Sequence, residues 1–415
     1  MANSFITNAY VKALAVKVFD SLNYLKNSTA PFDITAGMKP GSVYQLVIED
    51  GGKPTDGLAI TDADRTGLTE RSIYAWIKSK KSVISASSLA QVVDMTSWIS
   101  TISATAIKLA ISIQQDVINS EYFKSGVVTV NSNPWISLAD AASSVITARQ
   151  GSQVTGYIAP RAQGSLAAKA LGGYNFVMAT DQGSKLYGQA MIGQYANVEY
   201  INIPEIPSVK APATGISAMT VNSAVVINST HFGKSVPETY LNIVGTANDT
   251  AVLPKGYTFN LPDIYSCNVQ GEKSPYEFGF IVQEDTPLSG ETAVNVKVQS
   301  LVTADCYARN CFVGDGTNSA ENLAGVNGTA QLVLSAGVTY WPCEIRTKEA
   351  LAFQGITLND LEGAKNASEA VDQVKLQVAS LGDFDSRDNY SRIDFSYVAT
   401  KADIRDSAMA YIALT

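Results

Sequence analysis

Charge is scarce in this 415-residue chain: Asp, Glu, Lys and Arg together make up 16% of it, against roughly a quarter in an ordinary soluble domain. Mean hydropathy is correspondingly close to neutral, at +0.05. So thinly charged a surface exposes broad uncharged areas, and such areas usually end up against another molecule. What charge there is leans acidic, with 38 carboxylates against 30 bases for a net −8. That excludes a dedicated nucleic-acid binder, whose footprint is a basic stripe. No run of like charges marks an interaction tail.

Histidine is nearly missing, His231 being the sole one. An imidazole-activated serine or cysteine would have to use it, yet no GxSxG elbow or catalytic-cysteine context accompanies it. A turn or surface histidine is the expectation. The four cysteines, Cys267, Cys306, Cys311 and Cys343, lack CxxC spacing, so reduced thiols are expected and paired zinc ligands are not. Walker and HExxH motifs are absent. The densest carboxylate group, Asp383, Asp385, Asp388 and Asp394, carries Asp388 where an EF-hand loop needs glycine and Asp394 where it needs glutamate. Arg387 and Arg392 lie within it and neutralise it. Gly314-Asp315-Gly316 is too short for a dinucleotide fingerprint, and Gly51-Gly52 reads as a hairpin tip. The expectation is a chain that is not an enzyme, with no catalytic, metal or cofactor site.

Long hydrophobic runs are missing as well. The longest uncharged stretches, residues 211–233 and 322–343, are broken by Pro, Gly, Ser, Thr and Asn, so neither reads as a membrane-spanning helix. Lys12, Lys17, Asp20 and Lys26 interrupt what would be the apolar core of a signal peptide. An intracellular chain without a membrane partner is expected.

What is present is a strong alternation of periods. Val11, Leu14, Val18, Leu22 and Leu25 recur at helical spacing over residues 7–25. Residues 43–49 and 72–77 read as extended pieces around the polar middle Asp50-Gly51-Gly52-Lys53-Pro54-Thr55-Asp56-Gly57, a two-stranded excursion too poor in apolar residues to pack on itself. The clearest helix covers residues 88–123, where Val92, Met95, Ile99, Ile102, Ala106, Leu109, Ile113 and Val117 recur every three or four positions without Gly or Pro. Ser137, with Asp140 three positions on, predicts a helix start, and Gly151 its end. A strand over 154–159, an Ala-rich helix over 161–171 and a strand over 195–203 follow. From about 211 to 338 the helical period gives way to short alternating runs, 224–228, 240–244, 257–261, 277–283, 294–302 and 331–334, which predict a small all-β barrel or sandwich. Residues 371–380 and 391–399 read as closing strands of a mixed α/β end.

This order resembles the major capsid (coat) proteins of tailed bacteriophages, the tailed-phage/herpesvirus capsid fold, and within them the short-tailed-phage branch that carries an inserted β-barrel domain. The stretch Phe5-Ile6-Thr7-Asn8-Ala9-Tyr10-Val11-Lys12-Ala13-Leu14 is similar to the family's opening helix. Pro207-Ser208-Val209-Lys210-Ala211-Pro212-Ala213-Thr214-Gly215-Ile216 resembles the approach to the insert, and Leu253-Pro254-Lys255-Gly256-Tyr257-Thr258-Phe259 an early barrel strand. Residues 371–413 match a closing pattern of strand, turn, strand and small-residue end.

The resemblance implies an α+β fold: an N-terminal arm (1–36), an extended hairpin loop (37–87), a peripheral domain with a spine helix (88–135) and an apical domain (136–210). An inserted β-barrel (211–338), an apical return (339–370) and peripheral C-terminal strands (371–415) complete it. It implies a subunit that assembles as hexamers and pentamers into an icosahedral shell around a double-stranded DNA genome, located in the virion after assembly in the host cytoplasm. The partners implied are further copies of the chain, a scaffolding protein, a portal protein and DNA packaged without sequence-specific binding. A bacterial nanocompartment shell or a phage tail or tube protein are the alternatives. Glu49, Asp50, Arg65 and Arg71 in the hairpin and Lys234, Glu238 and Asp249 in a loop expected over 233–249 are the candidate intersubunit contacts.

Overall fold

The computed structural model describes residues 8–30, 41, 43–50, 69–87, 95–149, 153–172, 194–231, 233–303, 309–314, 323–356, 358–362, 364–382 and 388–413. Arg65, most of the polar middle of the hairpin, residues 88–94 of the expected spine helix, Gly151, Cys306, Gly316 and Asp383 to Arg387 lie outside them.

The described elements begin with helix α1 (Asn8–Ser21), strands β1 (Val43–Asp50) and β2 (Thr69–Ser87), and helix α2 (Met95–Glu121). Next come β3 (Val127–Val130), α3 (Pro134–Ala148), β4 (Val154–Ile158), α4 (Pro160–Gly172), β5 (Gln194–Tyr195), β6 (Val198–Asn202) and β7 (Val209–Lys210). A run of strands follows: β8 (Met219–His231), β9 (Lys234–Gly245), β10 (Val252–Leu253), β11 (Thr258–Cys267), β12 (Lys273–Ile281), β13 (Thr286–Pro287) and β14 (Val294–Lys297). It continues as β15 (Cys311–Val313), β16 (Gly328–Thr329), β17 (Gln331–Leu332) and β18 (Thr339–Thr347). The chain closes with β19 (Leu351–Ile356), β20 (Lys365–Val371), β21 (Val374–Gly382), β22 (Asp388–Lys401) and β23 (Ser407–Ala413). The class is α+β, with mostly antiparallel pairing.

Two compact units divide the chain. The first comprises Met1–Leu46, Ile73–Asn119 and Leu351–Thr400. Its sheet runs β1-β2-β22-β21-β20, with β19 joined to β22. β2 pairs antiparallel with β22 from Ile77 opposite Val398 to Ser87 opposite Asp388. The helical period of α1 buries Val11, Leu14, Ala15 and Val18, and α1 packs on β20 and β21. On α2 the predicted stripe is buried at Ile102, Ala106, Leu109, Ile113 and Val117. Lys80 of β2 reaches Asp116 of α2 at 2.7 Å and donates to the Ser112 hydroxyl at 2.6 Å. The Tyr397 hydroxyl of β22 donates to the same Asp116 carboxylate at 3.3 Å. Residues 371–380, read from sequence as one strand, hold most of β21 together with the turn that joins it to β20. Val371 lies opposite Val374, and Asp372 turns the chain at φ 49°, a conformation that Asp tolerates better than most residues.

The second unit comprises Val47–Ser72, Ser120–Ala350 and Lys401–Thr415. An 11-stranded sheet runs β15-β11-β12-β3-β23-β18-β4-β6-β5, with β17 beside β11 and β7 beside β18. β23 lies at its centre, parallel to β3 and antiparallel to β18, and six of its seven residues are buried. α3 packs across β23, β3 and β18. That helix begins a turn earlier than predicted. Asn133, in extended conformation, caps it by accepting from the Trp135 N–H at 3.1 Å, and Pro134 occupies the first helical position. A pre-set proline and a true N-cap thus outcompete the Ser137–Asp140 pair.

Among the described residues the regular elements of 211–338 are strands and one 3-10 turn, Leu323–Gly325. The strands divide among the 11-stranded sheet, a four-stranded sheet, β14-β9-β8-β16, and the two-stranded pair β10-β13. β12 joins β3 with Phe278 opposite Val127, and the Gly279 N–H donates to the Gly126 carbonyl at 3.2 Å. A Cβ on Gly279 would lie 2.3 Å from Val128 Cγ2, so this glycine lets the two backbones close. The boundary at 211 and 338 is therefore not where hydrogen bonding ends.

Candidate interaction surfaces

The hairpin expected from sequence is a ribbon of unequal strands. β2 is 19 residues long, about 60 Å at strand rise and several times the usual strand. β22 covers it only from Ile77 onward. Among the described residues, 69–76 have β1 as their one strand neighbour. Glu49 and Asp50 end β1 and Arg71 lies near the start of β2, so the ribbon brings these three candidates to one end.

The loop expected over 233–249 is a strand for most of its length. β8 and β9 form a long hairpin from Met219 opposite Gly245 to His231 opposite Lys234, turning at Gly233 with φ 76°. Lys234 and His231 thus stand at its tip. Beyond Thr220 and Val221, paired with β16, and Tyr240 to Ile243, paired with β14, the ribbon has no third strand among the described residues. Val226 is 51% exposed and Ile227 38%; as consecutive strand residues they face opposite sides. The sequence reading of 224–228 as a short strand does not tell these exposed positions from buried ones, since a buried strand and an exposed apolar ribbon have the same pattern.

Glu238 is half-way along β9, and its partners were not foreseen. Lys297 of β14 donates to it at 2.5 Å, Ser229 of β8 at 2.5 Å and the Tyr240 hydroxyl at 3.0 Å. Burial alone would raise the carboxyl, but these donors, Lys297 first, outweigh it and pull it down to about 2. The group therefore contributes stability above its ordinary range, near pH 4.5, that is lost as pH falls toward about 2. Glu238→Gln should lower stability at neutral pH by about 1.5–3 kcal/mol and flatten the acid limb between pH 4.5 and 2. A melting series over acid pH checks this, and an unchanged acid limb would show that the carboxylate is not held by these donors.

Asp249 is held within its own chain. It is fully buried and accepts from the Ser217 N–H at 2.6 Å, the Ser217 hydroxyl at 3.0 Å, the Thr246 N–H at 2.7 Å and the Thr246 hydroxyl at 3.0 Å. Burial raises its carboxyl, but these four bonds prevail and hold it low. It is the clasp of the turn after β9, an Asx-type use of aspartate that its loop-like sequence context conceals.

Asp394 is buried beside Arg392 at 2.7 Å, and the described residues hold no cluster of ligands suited to a metal ion. Cys267, Cys311 and Cys343 are buried, and burial pushes the Cys311 and Cys343 thiols up, away from the reactive thiolate. No described helix is long and apolar enough to cross a membrane.

No family model matches the sequence, and no curated protein matches it. Solved structures are similar to the chain. They include the capsid of cyanophage P-SCSP1u, 9% identical over 94% of this chain and 87% of that one, with a TM-score of 0.44. The capsid of a native GTA particle is 7% identical over 95% and 91%, with a TM-score of 0.43. The virus-like particle of Pyrococcus furiosus is 10% identical over 97% and 99%, with a TM-score of 0.38.

Proposed function

We propose that the chain is the major capsid subunit of a tailed-phage-type shell, which assembles as hexamers and pentamers into an icosahedral container for double-stranded DNA. The observation that carries this reading is the β1–β2 ribbon. A two-stranded ribbon is marginal by itself, and an edge strand with open hydrogen-bonding groups invites another chain. A strand drawn out to 19 residues, only its second half paired with β22, suits a subunit that reaches onto its neighbour. The low charged fraction, 16%, fits broad surfaces that meet copies of themselves, and the net acidity fits a container that should not grip its DNA.

In this reading residues 1–36 are the arm, 37–87 the hairpin, 88–135 and 371–415 the peripheral domain, and 136–210 with 339–370 the apical part that faces the symmetry axes. The β-rich segment 211–338 extends the β8–β9 hairpin toward the next capsomer. Glu49, Asp50, Arg65 and Arg71 contact neighbouring copies through the first ribbon, and Lys234 at the tip of the second. Scaffolding and portal proteins guide assembly in the host cytoplasm, and the finished shell is part of the virion.

Deletion of residues 51–56 tests it. The variant should melt within about 0.5 kcal/mol of the parent, as changes far from a core do, yet give no closed particles by negative-stain microscopy. The parent should give shells or rings. Tubes from the parent would favour a tail protein, and normal shells from the deletion would sink the ribbon's role.

A further inference from the structure

Asp406, in the turn just before β23, is fully buried, and neither carboxylate oxygen receives a hydrogen bond. Its own peptide carbonyl accepts from the Thr347 N–H at 3.0 Å, which fixes the turn against the end of β18. The nearest cation is Arg149, the residue that closes α3, whose Nη1 is 3.0 Å from the Asp406 carboxylate and 3.3 Å from that of Glu349. Arg405, the next residue back, is committed elsewhere: it grips Asp403 at 2.6 Å through Nη2 and reaches the Arg309 carbonyl at 3.1 Å through Nη1. A buried carboxylate that no well-aligned hydrogen bond satisfies is costly to ionise even beside a cation. Burial pushes the Asp406 carboxyl up to about 7, with the Asp403 charge adding to it, Arg149 and Arg405 pulling back, and Glu349 pushing it higher.

We propose that Asp406 is a proton-operated latch on the C-terminal end of α3: ionised, it shares Arg149 with Glu349; protonated, it leaves Arg149 to Glu349 and lets the turn before β23 settle. The folded state then holds a proton that the unfolded chain releases between about pH 4 and 7, so stability falls as pH rises through that window. This is opposite in sign to Glu238, and it sits where pH changes between a neutral cell and a mildly acidic surrounding would act.

Thermal melting of the unassembled full-length chain between about pH 5 and 8.5 tests the latch, independently of whether shells form. Asp406→Asn keeps the shape and removes the charge. The parent's Tm should fall from about pH 5 to 7 and level off above it, while the variant holds level and melts higher than the parent at about pH 8. Parallel profiles would overturn the proposal. Should the Asn variant fail to fold, Arg149→Gln should move the parent's inflection to higher pH and Glu349→Gln to lower pH; an inflection that neither variant moves would overturn it equally.

Discussion

Replacing Glu344 by Gln should cost the second unit about 3–5 kcal/mol, the usual penalty for stranding buried charge and much of the roughly 5–15 kcal/mol that holds a domain folded. Glu344 of β18 is fully buried, pairs with Lys401 at the end of β22 and has Arg346 Nε at 3.8 Å, both cations being almost wholly enclosed. Lys401 also donates its backbone N–H to Glu121 at 2.9 Å, and the Glu344 N–H donates to the Tyr122 hydroxyl at 3.1 Å. The carboxylate is therefore the anion at the meeting of three chain segments. Without it two cations remain in an enclosed site. Burial already pulls the Lys401 amine down, opposed chiefly by Glu344, so in the variant Lys401 should shed its proton more readily and the loss should shrink as pH rises. Replacing both Glu344 and Lys401 with apolar residues should recover part of the loss. Denaturant unfolding measures it, and a Gln variant within about 0.5 kcal/mol of the parent would show that water reaches the site.

An excised fragment of residues 211–338 is expected not to unfold cooperatively. In the intact chain Gln299, itself buried, accepts from the Ile281 N–H at 2.9 Å and donates to the Ser125 carbonyl at 3.0 Å, so a side chain of this segment satisfies a backbone group outside it. Phe278 sits opposite Val127, and the Gly279 backbone rests against Val128. Excision opens the edge of β12 and exposes Phe278 and Phe280, which are fully buried. Calorimetry decides it: a single sharp transition with matching calorimetric and van't Hoff enthalpies would mean that β8, β9, β11 and β12 carry a core of their own. In the full chain, Gln299→Ala should cost about 2–4 kcal/mol, since it leaves buried partners unmet.

The elements with a sustained period were legible in the sequence. α1 and α2 bury the stripes that their spacing marks, and the ribbon strands frame the polar stretch that separates them. The α+β class was what the family resemblance implied. What could not be read was pairing between distant segments. Nothing local to Phe278 says that its neighbour is Val127, because strand partners are chosen by burial and geometry, not by proximity along the chain. β23 escaped for a related reason: Ser407-Ala408-Met409-Ala410-Tyr411-Ile412-Ala413 lacks alternation because both of its faces are covered, as in any strand at the heart of a sheet. Of the contact candidates, charge in a polar stretch was the only signal available. It cannot distinguish Lys234, at a hairpin tip, from Asp249, whose carboxylate is taken up by Ser217 and Thr246.

The position of β23 also sets a schedule for synthesis. It is laid down after every other strand of its sheet, yet it belongs between β3 and β18. A nascent chain that has reached residue 406 holds those two strands without the one that belongs between them, so the sheet cannot close until β23 has been made. Products cut short by premature termination or by proteases before residue 407 lack the staple altogether and remain open to chaperones and degradation. The sheet thus closes only around the strand made after all its others, and a subunit presents finished surfaces only once that strand is seated.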